Sequence, residues 1–85
     1  MNKTDWFVYI VECSDKSLYT GITNNLDRRL KEHNNNILGS KYTRIRRPVK
    51  IIHFETFITR SQALKKENEI KGWNRKRKLQ LIKNN

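Results

Sequence analysis

The chain has 85 residues, 35% of them hydrophobic, and its 19 Lys and Arg outnumber 8 Asp and Glu to give a formal net charge of +11. That length allows one small domain over residues 1–85, and no apolar run approaches the roughly 20 residues of a membrane-spanning helix. The only cysteine, Cys13, excludes an internal disulfide and a multi-cysteine zinc site, and the N-terminus lacks a signal-peptide layout, so we expect a cytoplasmic protein.

The first quarter of the chain predicts a β-hairpin. Trp6–Val11 is a near-continuous run of apolar, aromatic and β-branched residues, which is typical of a strand covered on both faces. A turn at Cys13–Ser17 then leads into a second, shorter strand at Leu18–Ile22.

Two tyrosines in this hairpin are candidate site residues. If Glu12 pairs with Leu18, the side chains of Tyr9 and Tyr19 emerge on the same face of the sheet, and Gly21 leaves space beside them. A register shifted by one residue would separate the two phenols. Each tyrosine alone has the simpler interpretation of a core residue.

The first predicted helix places two basic side chains on its core side. Thr23–Asn25 supplies an N-cap and Leu26–Asn34 forms the helix. If the helix continues further, Ile37 also lies on its apolar stripe. At about 100° per residue, His33 and Arg29 lie on or beside the apolar stripe. A histidine there is usually a satisfied core residue, whereas a core-side arginine must reach solvent or face an anionic group. The charged residues expected to face solvent are Arg28, Lys31 and Glu32.

The second half of the chain predicts one strand and two helices. Val49–Phe57 is the third strand, and Thr59–Gln62 resembles a capping box before a helix that ends near Gly72. Asn74 can cap a last basic helix that runs to about Lys83. The resulting order, β-β-α-β-α-α, predicts an α+β domain.

A glutamate lies on the core side of the second predicted helix. Relative to Ala63, Glu67 is about 40° and Ile70 about 20° away, whereas Glu69 faces solvent. Carboxylates are rarely buried unless they are paired or bind a metal ion. The helix geometry leaves both interpretations of Glu67 open, an ion pair at the helix edge or a ligand.

The positive charge is concentrated in the second half. Residues 1–40 hold five cations and five acids, whereas residues 41–85 hold fourteen cations and three acids. Two stretches, Lys41–Lys50 and Lys71–Lys83, contain cations and no acid. One such run would be an ordinary solvated surface, but two in a small domain favour a polyanionic partner, and nucleic acid fits better than a membrane because the tail lacks a wide apolar stripe.

We predict that the nucleic-acid contacts come from the irregular basic segment at residues 35–48 and the strand after it. A tyrosine there could stack on an unpaired base. The predicted contact set is Lys41, Tyr42, Arg44, Arg46, Arg47 and Lys50.

Together these motifs resemble the GIY-YIG endonuclease superfamily. Phe7–Tyr9 and Tyr19–Gly21 are similar to its paired signature, although the first triplet keeps only the tyrosine of Gly-Ile-Tyr. Asn25–His33 resembles the helix that carries an essential arginine and a following histidine, and Ala63–Glu67 resembles the helix with the metal-binding glutamate. The resemblance covers about residues 6–75 and is closest to small stand-alone bacterial members similar to the N-terminal nuclease domain of the excision-repair enzyme UvrC.

The resemblance implies a three-stranded, mainly antiparallel sheet flanked by helices, and phosphodiester hydrolysis with one divalent ion. Glu67 would bind Mg²⁺ or Mn²⁺, and Tyr9 would help to activate the attacking water, directly or through a relay. Tyr19 would orient water or phosphate, and Arg29 would stabilise charge on the scissile phosphate. His33 matches a polar family position whose role stays open.

The resemblance implies a nucleic-acid substrate, with DNA expected ahead of RNA. Many family nucleases carry a separate DNA-binding domain that this chain has no room for, so substrate choice would come from Lys41–Lys50, the last helix or a protein partner. The late polar residue of some members has two candidates here, Asn68 and Asn74. Two alternatives to an enzyme remain: a non-catalytic nucleic-acid-binding module on the same scaffold, and a membrane-surface or protein-interaction domain.

Overall fold

The computed structural model describes residues 5–35 and 39–83 as a three-stranded sheet with helices on both faces. The strands run in the order β2-β1-β3 and both neighbouring pairs are antiparallel, which confirms the predicted α+β class. The predicted continuation toward Ile37 lies outside the described residues. Within the described ranges, no helix has both the length and the apolar character needed to cross a bilayer. The elements are β1 (Trp6–Glu12), β2 (Leu18–Thr23), α1 (Leu26–Asn35), α2 (Lys41–Arg44), β3 (Lys50–Phe57), α3 (Arg60–Lys71) and α4 (Arg75–Lys83).

The central strand β1 is buried on both faces, as its apolar run predicts. Residues 7–11 are all at most 5% exposed, because each face packs against different helices. On one face, strand residues pack with α3 in a cluster formed by Val8, Ile10, Ala63 and Ile70. On the other face, the leucines of α1 pack against a second cluster formed by Tyr9, Val11, Cys13 and Val49.

Three helices begin where their capping residues predict. The side-chain oxygen of Asn25 accepts the Arg28 N–H at 3.0 Å, and equivalent bonds at Thr59 and Asn74 measure 3.1 and 2.9 Å. Gly72 ends α3, as predicted. These three helix starts and the end of α3 therefore coincide with capping residues that can be recognised in the sequence.

The short helix α2 corrects the prediction that residues 35–48 are irregular. Ser40 caps it by accepting the Thr43 N–H at 3.1 Å. A single helical turn is unstable on its own, so tertiary contacts must hold it. The contact is a hydrogen bond between fully buried Thr43 and His33 of α1.

Candidate active site

The sheet register brings the two predicted tyrosines onto one face. Tyr9 pairs with Gly21 and Val11 pairs with Tyr19, which confirms the register inferred from the sequence. A Cβ atom at position 21 would lie 2.5 Å from the Tyr9 hydroxyl oxygen. The Tyr9 phenol therefore occupies the space that only a glycine leaves on β2.

A chain of hydrogen bonds runs inward from the Tyr9 hydroxyl. Its oxygen lies 2.8 Å from His33 Nε2 and accepts a hydrogen bond from Arg29 Nε at 3.3 Å. His33 Nδ1 lies 2.8 Å from Thr43 Oγ1, and the Thr43 hydroxyl donates to the Ser40 carbonyl at 3.2 Å. Three predicted site residues, Tyr9, Arg29 and His33, thus meet at one oxygen atom.

One arrangement of protons satisfies every bond in this chain. Thr43 Oγ1 lies 3.2 Å from the Ser40 carbonyl oxygen and 3.0 Å from Ser40 Oγ, and when its proton goes to either of them, Thr43 Oγ1 accepts from His33 Nδ1–H. Neutral imidazole has one N–H, which leaves Nε2 as an acceptor. Because the Arg29 guanidinium only donates, the proton of Tyr9 points to His33 Nε2.

Burial keeps both partners of this hydrogen bond neutral. Burial raises the pKa of Tyr9 to about 12, against the opposing effect of the Arg29 hydrogen bond. Burial also lowers the pKa of His33 to about 4, and the charges of Arg29 and Arg47 act in the same direction. At neutral pH the proton therefore rests on Tyr9 while His33 Nε2 stays available to accept it.

Arg29 has an anionic partner that the sequence analysis placed in solvent. Its Nη1 lies 2.9 Å from a carboxylate oxygen of Glu32, whose side chain is only 18% exposed. Glu32 also lies 3.8 Å from Arg28, across the next helical turn. The spacing of three residues between Arg29 and Glu32 is the usual spacing of helical ion pairs, and this signal could have identified Glu32.

Tyr19 lies beside the Tyr9–His33 pair. Its ring centre is 5.4 Å from that of His33, and it stacks on Tyr42 at 5.9 Å. The Arg46 guanidinium lies 4.0 Å from the centre of the Tyr42 ring. Stacking of Tyr42 on an unpaired base stays a prediction, and it would require Arg46 to move off the ring.

Glu67 is buried, as its helix position predicts, and it forms an ion pair. It is 9% exposed, and its carboxylate lies 3.4 Å from Lys71 Nζ. Helix α3 packs on the Val8 face of the sheet, yet the Glu67 charge contributes to the raised pKa of Tyr9 on the other face. The ion-pair interpretation is therefore confirmed, and the metal-binding role of Glu67 stays a prediction.

A metal ion at Glu67 would have one protein carboxylate. Among residues 5–35 and 39–83, no three His, Cys, Asp or Glu side chains are grouped to hold a metal. Zinc sites need three or four such ligands, whereas Mg²⁺ is commonly held by one or two carboxylates, water and substrate phosphate. The donor set thus fits Mg²⁺ or Mn²⁺ and does not fit zinc.

The predicted nucleic-acid contacts divide into two groups. Lys41, Arg44 and Lys50 are exposed, whereas Arg46 and Arg47 are half-buried. Arg46 pairs with Asp15 at 3.1 Å, and Lys50 pairs with Glu12 at 3.6 Å. Arg47 donates to the carbonyls of Glu32 and His33. The role of this set in nucleic-acid binding stays a prediction. Within the protein, Arg47 is hydrogen-bonded to carbonyls near the end of α1.

The sequence analysis missed Thr43 and Ser40, because they lie within the basic segment, whose cations indicate a polyanionic partner and say nothing about neighbouring hydroxyl groups. The available signal was the serine itself, since serine is among the preferred N-cap residues. That signal predicts a helix start at Ser40, but it does not predict that the threonine hydroxyl reaches His33.

Comparison with known proteins gives concordant matches. The chain matches the GIY-YIG catalytic domain over residues 5–80. It is 56% identical over 79 residues to a UPF0213 protein of Syntrophus aciditrophicus, covering 93% of this chain and 91% of that one. A UPF0213 protein of Haloquadratum walsbyi is 59% identical over 75 residues, covering 88% and 83%. The solution NMR structure of a protein from E. faecalis, 47% identical, superposes with a TM-score of 0.67 over 98% of this chain and 88% of that one.

Proposed function

Because this chain belongs to the GIY-YIG family of catalytic domains, whose nuclease-type fold it shares, we propose that it is a metal-dependent endonuclease acting on DNA in preference to RNA. The observation that carries the proposal is the environment of the Tyr9 hydroxyl. It lies between a neutral imidazole that can take its proton and a guanidinium that can stabilise the resulting negative charge.

The geometry supports a relay of two protons. Attack of water on the scissile phosphorus requires loss of a water proton, which the Tyr9 oxygen accepts as its own proton passes to His33 Nε2. Thr43 keeps the Nδ1–H of the resulting imidazolium in place. The bond between phosphorus and the leaving oxygen breaks, and that oxygen takes a proton from solvent.

Substrate must change the proton affinities for this path to operate. With pKa values of about 12 for Tyr9 and about 4 for His33, the resting proton stays on the phenol. A phosphate beside His33 favours the imidazolium, and Arg29 can exchange Glu32 for the phosphate oxygens. Glu67 would hold the Mg²⁺ or Mn²⁺ ion, which supplies positive charge where negative charge develops.

One observation favours a second candidate, a non-catalytic nucleic-acid-binding module. Lys71 already neutralises the Glu67 carboxylate at 3.4 Å. In a protein that only binds nucleic acid, that ion pair would be the whole role of Glu67.

Nicking of supercoiled plasmid tests the proposal. We expect nicking with Mg²⁺ or Mn²⁺ and none with EDTA. Tyr9→Phe should lower the rate by about 10² or more, because it removes the hydroxyl that accepts the water proton. Thr56→Val, which removes an exposed hydroxyl from β3, is the matched control and should cleave like wild type.

Two results would contradict the proposal. Nicking that persists in EDTA would refute the metal dependence. If the protein binds DNA or RNA but cleaves neither with Mg²⁺ or Mn²⁺, the nuclease proposal is contradicted and the non-catalytic nucleic-acid-binding module is supported.

A further inference from the structure

The two acid-free basic stretches meet at the turn between β1 and β2. Arg46, from the first stretch, pairs with Asp15 of the turn at 3.1 Å. Arg75, from the second, donates to the carbonyl oxygen of the next turn residue, Lys16, at 2.7 Å. Two guanidinium groups far apart in sequence are therefore held by adjacent residues.

The turn is fixed by its own hydrogen bonds. The Ser17 N–H donates to the Asp15 carboxylate at 3.0 Å, and the Cys13 N–H donates to the Ser17 carbonyl at 2.9 Å. The Lys16 side chain is 75% exposed, and its Nζ lies 4.0 Å from the Glu12 carboxylate. The turn thus holds the two guanidinium groups in place and adds an exposed ammonium whose long ion pair with Glu12 a phosphate can replace.

Continuous contacts link this turn to the candidate active site. From Asp15 they pass through Arg46 to the Tyr42 ring at 4.0 Å, then to Tyr19 at 5.9 Å and to His33 at 5.4 Å. The first turn of α4 continues the positive charge on the far side, with Arg75, Lys76 and Arg77 exposed.

We propose that Lys16, Arg46, Arg75 and Lys76 form a single phosphate-binding track, the turn–helix track, which holds a duplex DNA backbone running away from Tyr9. The inference rests on the proposed function in taking nucleic acid as the substrate. Contacts of this kind are made to phosphates, so they give affinity without sequence specificity.

The chemistry of α4 favours nucleic acid over a lipid surface. Helices that lie on membranes insert a wide apolar face. In α4, Leu81 and Ile82 pack against the Val8 core cluster, so these apolar side chains already have a partner within the protein.

A charge-matched pair of double variants tests the track. Arg75→Gln/Lys76→Gln removes two cations from it, and Arg60→Gln/Lys65→Gln removes two exposed cations from α3. Arg60 lies 5.6 Å from the ring of Trp6, at the start of β1, whereas the turn follows its other end, roughly 20 Å away along a seven-residue strand. Circular dichroism establishes that both variants are folded.

The measurement is the fluorescence anisotropy of a labelled DNA duplex of about 20 base pairs, titrated in EDTA at several KCl concentrations. If Arg75 and Lys76 each contact one phosphate, their loss lowers the slope of log K against log salt by about 1.8 and weakens binding by tens of fold at about 0.1 M salt. The α3 variant should keep the wild-type slope. Lys76→Gln alone, which leaves the Arg75 hydrogen bond to the turn intact, should lower the slope by about 0.9.

Equal weakening by both double variants would overturn the track, because net charge alone would then explain the binding. Binding to phosphatidylglycerol vesicles without binding to DNA would also overturn it. Since the assay excludes metal, its outcome is separate from cleavage. If Arg75→Gln/Lys76→Gln lowers the slope of log K against log salt but the wild-type protein does not nick DNA, the track is supported and the nuclease proposal is contradicted. If the wild-type protein nicks DNA but Arg75→Gln/Lys76→Gln binds DNA as wild type does, only the track is contradicted.

Discussion

At the scale of single residues, two glutamates on α3 have opposite environments. Glu67 is 9% exposed, whereas Glu69 is exposed and pairs with Lys66 at 3.5 Å. Glu67→Gln should keep the fold, since the amide is nearly isosteric, and abolish cleavage, since a negative ligand is lost. Binding to nucleic acid in EDTA should be unchanged or slightly tighter. Single-turnover cleavage of one substrate measures the effect.

Glu69→Gln is the matched control, because it makes the same chemical change two residues away. It should leave cleavage and its Mn²⁺ dependence close to wild type. Circular dichroism first establishes that both variants are folded. If Glu67→Gln cleaves like wild type, Glu67 is only an ion-pair residue. If only Glu69→Gln loses cleavage, Glu69 and not Glu67 is the glutamate required for activity.

At the scale of elements, the pairing of β1 with β2 depends on a close approach at Gly21. A Cβ there would lie 2.5 Å from the Tyr9 hydroxyl oxygen. Gly21→Ala should therefore displace the phenol, destabilise the protein by about 1–3 kcal/mol and lower cleavage. Urea unfolding and plasmid nicking measure the two effects.

The control for this change is Gly72→Ala. Gly72 ends α3 with φ of −79°, and an added Cβ would meet its nearest atom at an ordinary 3.4 Å. Alanine should be tolerated there and stabilise the fold by about 0.4–1 kcal/mol by restricting the unfolded chain. A Gly21→Ala protein as stable and as active as wild type would show that the phenol does not need this space.

At the scale of the whole molecule, the buried Tyr9–His33 pair makes stability depend on pH. The pKa of His33 falls from 6.5 to about 4 on folding, so below pH 6.5 the unfolded chain binds a proton that the folded protein does not. Stability is thus full above pH 6.5 and declines toward pH 4, by roughly 3 kcal/mol over the whole window. Tyr9, whose pKa rises from 10.0 to about 12, should cause a similar decline above pH 10.

Urea unfolding at about pH 7 and pH 4.5 measures the acid side of this dependence. His33→Gln cannot titrate, so the difference between the two pH values should shrink by about 2 kcal/mol relative to wild type. The same pH dependence in both proteins would show that other groups cause the loss.

The sequence by itself determined the features that depend on neighbouring residues. Apolar runs and turn residues predicted the hairpin, and its register placed Tyr9 opposite Gly21. Helical periodicity placed His33 and Glu67 on buried faces, and capping residues located the helix starts. Periodicity and capping act within one or two helical turns, and the short turn that joins the two strands sets the hairpin register, so none of these features needs the rest of the fold to be predicted.

Only the tertiary structure decided what those residues contact. It placed Thr43 against His33, the imidazole that Tyr9 contacts, and it brought the two basic stretches to one turn through Arg46 and Arg75. These pairs are separated by ten or more residues with no tight hairpin turn to fix their register, and neither periodicity nor composition specifies which side chains then approach one another. Packing of the helices against the two faces of β1 decides it, because that packing is what brings distant segments within hydrogen-bond range.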